Sequence, residues 1–208
     1  MYLFSRRRRI DPGQLRAALG FSTDIAQRVT QITGVDVVTY LSTMSRDTGT
    51  VLWGAALPDL EALEGAFDKL MAESTYVEAI EQADRLFTTP IHDTVSVLVH
   101  GEIGDDTRPE YITVVEGACA PGSMGRALAA GVEIAQRATE VTGIQTLFLS
   151  EVTNAFGAVS WAASAPSIRE VERGQAALAA DPGWVELIDR HGTEFAPGTV
   201  TTLYRRIG

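Results

Sequence analysis

The sequence predicts an α+β chain built as two tandem βαββαβ repeats whose antiparallel sheets pack together. An internal repeat, the order of apolar periods in each copy, and strands apolar on consecutive residues predict it. IAQRVTQITG at 25–34 recurs as IAQRATEVTG at 134–143, a shift of 134 − 25 = 109. The same shift carries Tyr2 onto Tyr111, Pro12-Gly13 onto Pro121-Gly122 and Leu19 onto Leu128. After one deletion in the second copy the shift becomes 149 − 41 = 108, and Leu41-Ser42, Trp53, Pro58 and Phe87 meet Leu149-Ser150, Trp161, Pro166 and Phe195. Turn, strand and helix landmarks kept in order over nearly the whole chain mark a duplication, which the likeness of two alanine-rich helices would not explain.

Each element follows from a local pattern. Residues 1–9 begin apolar and extended, and Asp11-Pro12-Gly13 supplies the turn that ends them. From Gln14 to Ile32 the residues Leu15, Ala18, Leu19, Ile25, Val29 and Ile32 recur at helical spacing, and Gly34 stands where a helix end wants positive φ. VDVVTYLS at 35–42 is rich in β-branched residues, and a short polar turn joins it to TVLWGAAL as an antiparallel hairpin. Pro58-Asp59 opens a helix with Leu60, Leu63, Phe67 and Leu70 on its apolar stripe. Further helical turns around Tyr76, Ile80, Ala83 and Phe87 precede a last strand, TVSVLVH. The second copy repeats this order with YITVVEGA, a helix over 124–142, IQTLFLSEV, AVSWAAS, helices within 167–192 and VTTLYRRI.

The order is that of the ferredoxin-like split βαβ unit, with helices on one face of a four-stranded antiparallel sheet. ITVV and VSVLV are apolar on consecutive residues, whereas a sheet wetted on one face alternates, so the faces without helices are expected to be covered by each other. The expected organisation is a first repeat at 1–100, a linker at 101–110 rich in Gly and acidic residues, and a second repeat at 111–208.

Composition narrows the function classes. Hydrophobic residues make up 45% and charged residues 21%, the balance of a globular protein. The formal charge of −10 repels phosphate, so nucleic acid is not an expected partner, and no segment reads as a signal peptide or membrane span. Cys119 is the sole cysteine, which rules out an intramolecular disulfide and fits a cytoplasmic protein. It reads as a small buried residue. No HxH or HExxH spacing, P-loop, nucleophile elbow or dinucleotide fingerprint occurs, and no metal is expected.

The run Arg6 to Arg9 falls opposite Val115 to Ala118, the end of the equivalent first strand. Alternation puts Phe4, Arg6 and Arg8 on one face. The leading expectation is a solvated strand end that pairs with the acidic surface; the alternative is a pair of guanidinium groups under the helices, demanding carboxylate or anionic-ligand partners. Trp53 and Trp161 occupy matching positions, which argues first for core packing, as it does for Trp184 and its counterpart Tyr76. An aromatic wall with Tyr40, Arg6, Arg8 or Asn154 nearby would nevertheless suit a flat organic ligand. His191 ends the last helix, where the helix dipole favours a cation.

Paired ferredoxin-like units, with LAADPGWVELI at 178–188 after the second long helix, resemble the dimeric α/β-barrel superfamily of antibiotic-biosynthesis monooxygenases and NIPSNAP-type proteins. The resemblance implies a pseudodimeric α/β barrel with ligand sites between the sheet and helices of a copy. It also implies a small organic ligand as partner, and a second copy of the chain as another. The leading function is that of a cofactor-free monooxygenase-like protein that oxidises or rearranges an aromatic or polyketide-like compound. The alternatives are a haem protein with His191 as ligand and a non-catalytic scaffold, the last favoured if the helix–sheet clefts are filled by their own side chains. Activity follows from none of these by fold alone. Candidate ligand-binding residues are Arg6, Arg8, Tyr40, Trp53, Asn154, Trp161 and His191.

Overall fold

A computed structural model describes residues 1–104 and 108–208. The chain divides into two compact units, Met1–Val95 with Arg205–Gly208, and Ser96–Tyr204. Residues 105–107, in the expected linker, lie outside the described residues.

Unit 1 begins with β1 (Tyr2–Arg9), α1 (Leu15–Thr33), β2 (Val38–Thr43) and β3 (Thr50–Leu57). It continues with α2 (Leu60–Ala72), α3 (Ser74–Ala83) and the start of β4 (His92–His100). Asp11 forms the expected turn by accepting the Gly13 N–H at 2.7 Å. Gly34 ends α1 with φ 80° and donates its N–H to the Thr30 carbonyl at 2.9 Å, a conformation only glycine adopts without cost. Residues 35–37, expected in a strand, stay outside β2. Thr33 and Thr30 hydroxyls take the Val35 and Val37 N–H groups at 3.0 and 3.2 Å, so the ladder starts only at Val38. Asp59 caps α2 by accepting from the Ala62 N–H at 2.8 Å.

Unit 2 repeats the series as β5 (Tyr111–Ala118), α4 (Met124–Thr142), β6 (Thr146–Glu151) and β7 (Ala158–Ala165). After these come α5 (Ile168–Ala180), α6 (Pro182–His191) and β8 (Val200–Arg206), whose last residues belong to unit 1. Gly143 ends α4 as Gly34 ends α1, with φ 70°. The threonine device recurs too: Ile144 and Thr146 donate to Thr142 and Thr139 hydroxyls, both at 3.0 Å.

Within unit 1 β3 pairs antiparallel with β1 and β2, and within unit 2 β7 pairs with β5 and β6 while β6 also pairs with Ser96–His100 of β4, the antiparallel α+β pairing that the sequence predicts for each repeat. Register decides which side chains lie beneath the helices. In unit 1 Arg6 pairs with Trp53, and Trp53 with Thr39, so these three share a face. The Trp53 indole N–H donates to the Ser22 carbonyl of α1 at 2.9 Å, which makes this the helix face. Arg7 pairs with Leu52 and Leu52 with Tyr40, which puts that trio on the other face. In unit 2 Val115 pairs with Trp161, and the Trp161 indole donates to the Gly131 carbonyl of α4, again at 2.9 Å. Each unit has a buried cluster beneath its helices, around Val51, Trp53 and Phe87 in one and Phe148, Val159 and Trp161 in the other.

Candidate functional site

The space between sheet and helices is used differently in the two units. In unit 1 β1 aims Phe4, Arg6 and Arg8 into it, as alternation predicts. Arg6 is not solvated: its Nε and Nη2 each donate to an Asp93 carboxylate oxygen at 2.7 Å, a bidentate pair anchored at the start of β4. Burial pulls the Arg6 pKa down, but hydrogen bonding and the charge of Asp93 outweigh it and hold the group above the ordinary arginine value. Arg8 is 7% exposed, and its Nη2 donates to Asp84 at 2.7 Å and to the Thr89 carbonyl at 3.0 Å. Its guanidinium carbon lies 4.5 Å from the centre of the Phe87 ring. The leading expectation of a solvated strand end therefore fails for this pair. Asp93 and Asp84 are available within the unit, and desolvated guanidinium groups need such partners. Phe4 meets Phe67 edge-on at 5.7 Å and Trp53 meets Phe87 at 6.0 Å. What remains is a cavity of about 90 Å³.

In unit 2 Trp161 and Phe195 keep the places of Trp53 and Phe87, but the other parts of that filling are replaced by something smaller or uncharged. By the repeat shifts, Phe4 becomes Thr113, Arg6 becomes Val115, Arg8 becomes Gly117 and Leu57 becomes Ala165; Phe67 becomes Gln175, Asp84 becomes Gly192 and Asp93 becomes Thr201. All of these replacements except Gly117 line a cavity of about 710 Å³, within the ~300–1,000 Å³ of small-molecule sites. Trp161, Trp184 and Phe195 form its aromatic wall, with Ile134, Ile144 and Leu178 as further apolar surface. Trp161 is fixed by its indole bond and by rings at 5.1 Å (Phe148) and 5.2 Å (Phe195). Trp184 is placed by its backbone N–H, which donates to Asp181 at 2.6 Å, while Arg137 Nη2 holds both oxygens of Asp181 at 2.7 and 2.8 Å.

His191, the last residue of α6, lines this cavity, and its Nε2 lies 3.0 Å from Glu133 Oε2 on α4. Among the described residues it is the one titratable side chain in the lining. A haem held there would take His191 as axial ligand and would place two propionates near cations. The contact with Glu133 occupies only Nε2 of His191, but no Arg or Lys lines the cavity among the described residues to take the propionates, so this lining does not fit a haem.

Of the residues picked from sequence, Arg6, Arg8 and Trp53 lie together in the filled space of unit 1, and Trp161 and His191 in the open space of unit 2. Tyr40 is buried and lines neither cavity. Asn154 sits in the β6–β7 turn with φ 77°, bonded to Glu151 at 3.3 Å, and lines neither. Sequence reading passed over Thr113, Gln175 and Phe195, took Trp184 as structural, and did not name Glu133; the signal that finds the first two is their difference from Phe4 and Phe67. Cys119, expected buried, is partly exposed; burial still pushes its thiol pKa up.

No helix among the described residues is long and apolar enough to cross a membrane. No protein-family model and no curated protein matches the chain. Many solved structures do. A monooxygenase candidate from Fusobacterium nucleatum is 8% identical with a TM-score of 0.73, over 100% of this chain and 92% of its own. An anthrone oxidase-like protein is 16% identical with a TM-score of 0.68, over 100% and 91%. Chlorite dismutase from Candidatus Nitrospira defluvii is 11% identical with a TM-score of 0.53, over 98% and 90%. At these identities the likeness is one of fold alone.

Proposed function

We propose that the protein binds one small organic molecule per chain, in the helix–sheet cavity of unit 2, and acts on it in the manner of the monooxygenase-like proteins. The ligand is a flat, largely apolar aromatic or polyketide-like compound. The observation that supports this reading is the contrast between about 710 Å³ of aromatic-walled space in unit 2 and about 90 Å³ at the equivalent place in unit 1. A scaffold needs no such space and would fill it, as unit 1 does with Phe4, Phe67 and two ion pairs. The structural neighbours include a monooxygenase candidate and an anthrone oxidase-like protein, which makes three-ring hydroxyketones the first compounds to try.

Titrating the protein with anthrone under nitrogen, read by quenching of tryptophan fluorescence, should give saturable binding with a stoichiometry of one. Trp184→Phe should remove most of the quench. Absence of saturable binding by anthrone and by its dihydroxylated analogues would overturn the reading. Stoichiometric haemin binding with a shifted Soret band, lost in His191→Ala, would replace it with the haem reading.

A further inference from the structure

We infer that His191 is the proton acceptor of the unit 2 site, and that the molecule taken there carries an acidic hydrogen, either a phenolic O–H or a C–H flanked by a carbonyl-conjugated ring system. The inference rests on the proposed ligand site and adds the chemistry performed in it. The lining is otherwise neutral: threonine hydroxyls, the Gln175 amide and apolar side chains surround the one imidazole. The fold does not require that imidazole, because the counterpart of His191 at the end of α3 is Ala83, which is 2% exposed.

Three features suit His191 to the role. A carboxylate only accepts hydrogen bonds, so the 3.0 Å contact with Glu133 sets the hydrogen on Nε2 and leaves the lone pair on Nδ1. The imidazolium formed by protonation would be stabilised by Glu133 and by the carbonyl end of α6. The charges around the pair are accounted for: Arg190 Nη1 lies 3.6 Å from Glu133 and its Nη2 3.5 Å from Glu186, while Arg126 pairs with Glu194 at 3.0 Å. In the step itself the H–C or H–O bond of the ligand breaks, the proton goes to Nδ1, and the electron pair stays on the ligand as an enolate or phenolate. No oxidant enters this step. Glu133 acts through His191 and is a positioning residue.

Deuterium wash-in at the acidic methylene of anthrone, in D2O under nitrogen, tests the assignment, with binding followed in parallel by tryptophan quenching. Wild-type protein should accelerate exchange by about 10²-fold or more, the usual reach of a placed acid–base group. His191→Ala and His191→Gln should lose that acceleration while binding anthrone within about threefold of wild type, since neither change alters the aromatic wall. Glu133→Gln should keep binding and lose most of the acceleration, because the carboxylate that sets the His191 tautomer is gone, and Glu133→Asp should restore part of it. Bound anthrone that exchanges equally fast in both His191 variants would overturn the assignment and leave the site standing. Failure of the wild type to bind anthrone and its analogues would remove the site and this inference together.

Discussion

The two units use one frame and fill it in opposite ways. Both carry a tryptophan on the third strand of the repeat, tied at 2.9 Å to a carbonyl of the first helix, and both end that helix on a glycine at positive φ. Inside that frame unit 1 places two arginines, two phenylalanines and their carboxylates, whereas unit 2 places glycine, threonine, glutamine and histidine. What both copies keep is what folding requires; what only one has can serve a ligand. Shared tryptophans are therefore scaffold first, even where they also wall a cavity, and the unshared His191 is the stronger mark of chemistry.

The largest effects should fall on the shared frame. Trp53→Ala and Trp161→Ala each remove a large buried ring and an indole hydrogen bond, and each should cost about 3–5 kcal/mol in a denaturant melt. Trp161 already borders open space, so its loss should lie toward the lower end of that range. Equal and small losses would mean that the tryptophans do not hold helix to sheet.

A transplant sharpens the comparison next. Gly117→Arg with Gly192→Asp copies the Arg8–Asp84 pair into unit 2. A Cβ at Gly192 has open space, and one at Gly117 meets the Thr199 side chain, its hydroxyl nearest at 3.2 Å, which a small shift of that side chain relieves. Ligand affinity should drop by about 100-fold or more, roughly 2.7 kcal/mol, with little change in melting temperature. Unchanged affinity would show that the open space is not where the ligand sits.

Much of this frame was legible in the sequence because it rests on local signals. The helix over 124–142, the strand 111–118, the glycine stops and the hairpins follow from apolar period and turn chemistry, and the repeat made each one count twice. The early start assigned to β2 was misread because Thr30 and Thr33 divert backbone donors, a local competition that strand propensity does not register. The site was harder to read. Arg6 looked exposed or ligand-seeking because its partner, Asp93, is 87 residues away, and no spacing rule joins them. Tyr40 falls on the face away from Trp53 because it pairs with Leu52, a register that no local pattern fixes. The copies laid side by side held the better signal all along, in Phe4 against Thr113, Arg8 against Gly117 and Ala83 against His191.

Removing one carboxylate separates the two interiors by a smaller amount. Asp93→Ala leaves the Arg6 guanidinium charged and without its bidentate partner, its side chain 20% exposed. A fully buried broken pair costs about 3–5 kcal/mol, and partial solvent access lowers that to about 1–3 kcal/mol. Thr201→Ala, at the matching place in unit 2, should stay within about 0.5 kcal/mol. Similar losses at both positions would break the claim that only unit 1 is closed by ion pairs.

The smallest difference lies at the start of α6. There Arg137 grips Asp181, which also caps the helix, whereas in unit 1 the counterpart Arg28 reaches the Thr75 carbonyl at 2.8 Å and Glu73 makes no cap. The hydrogen bond from Arg137, then that from the Trp184 N–H, hold the Asp181 carboxyl below the ordinary aspartate range. The native state thus binds its proton less readily than the unfolded chain, so the stabilisation from Asp181 is complete above the ordinary aspartate pKa and fades as pH falls through the lowered native one. Asp181→Asn should flatten the acid side of the melting-temperature profile and leave a near-constant offset at neutral pH. Because Asp181 also sets Trp184 on the cavity wall, the same variant should weaken the tryptophan quench by ligand, which Glu73→Gln in unit 1 should not do. An acid limb as steep in Asp181→Asn as in wild type would assign that limb to other carboxylates and leave the two helix starts electrostatically alike.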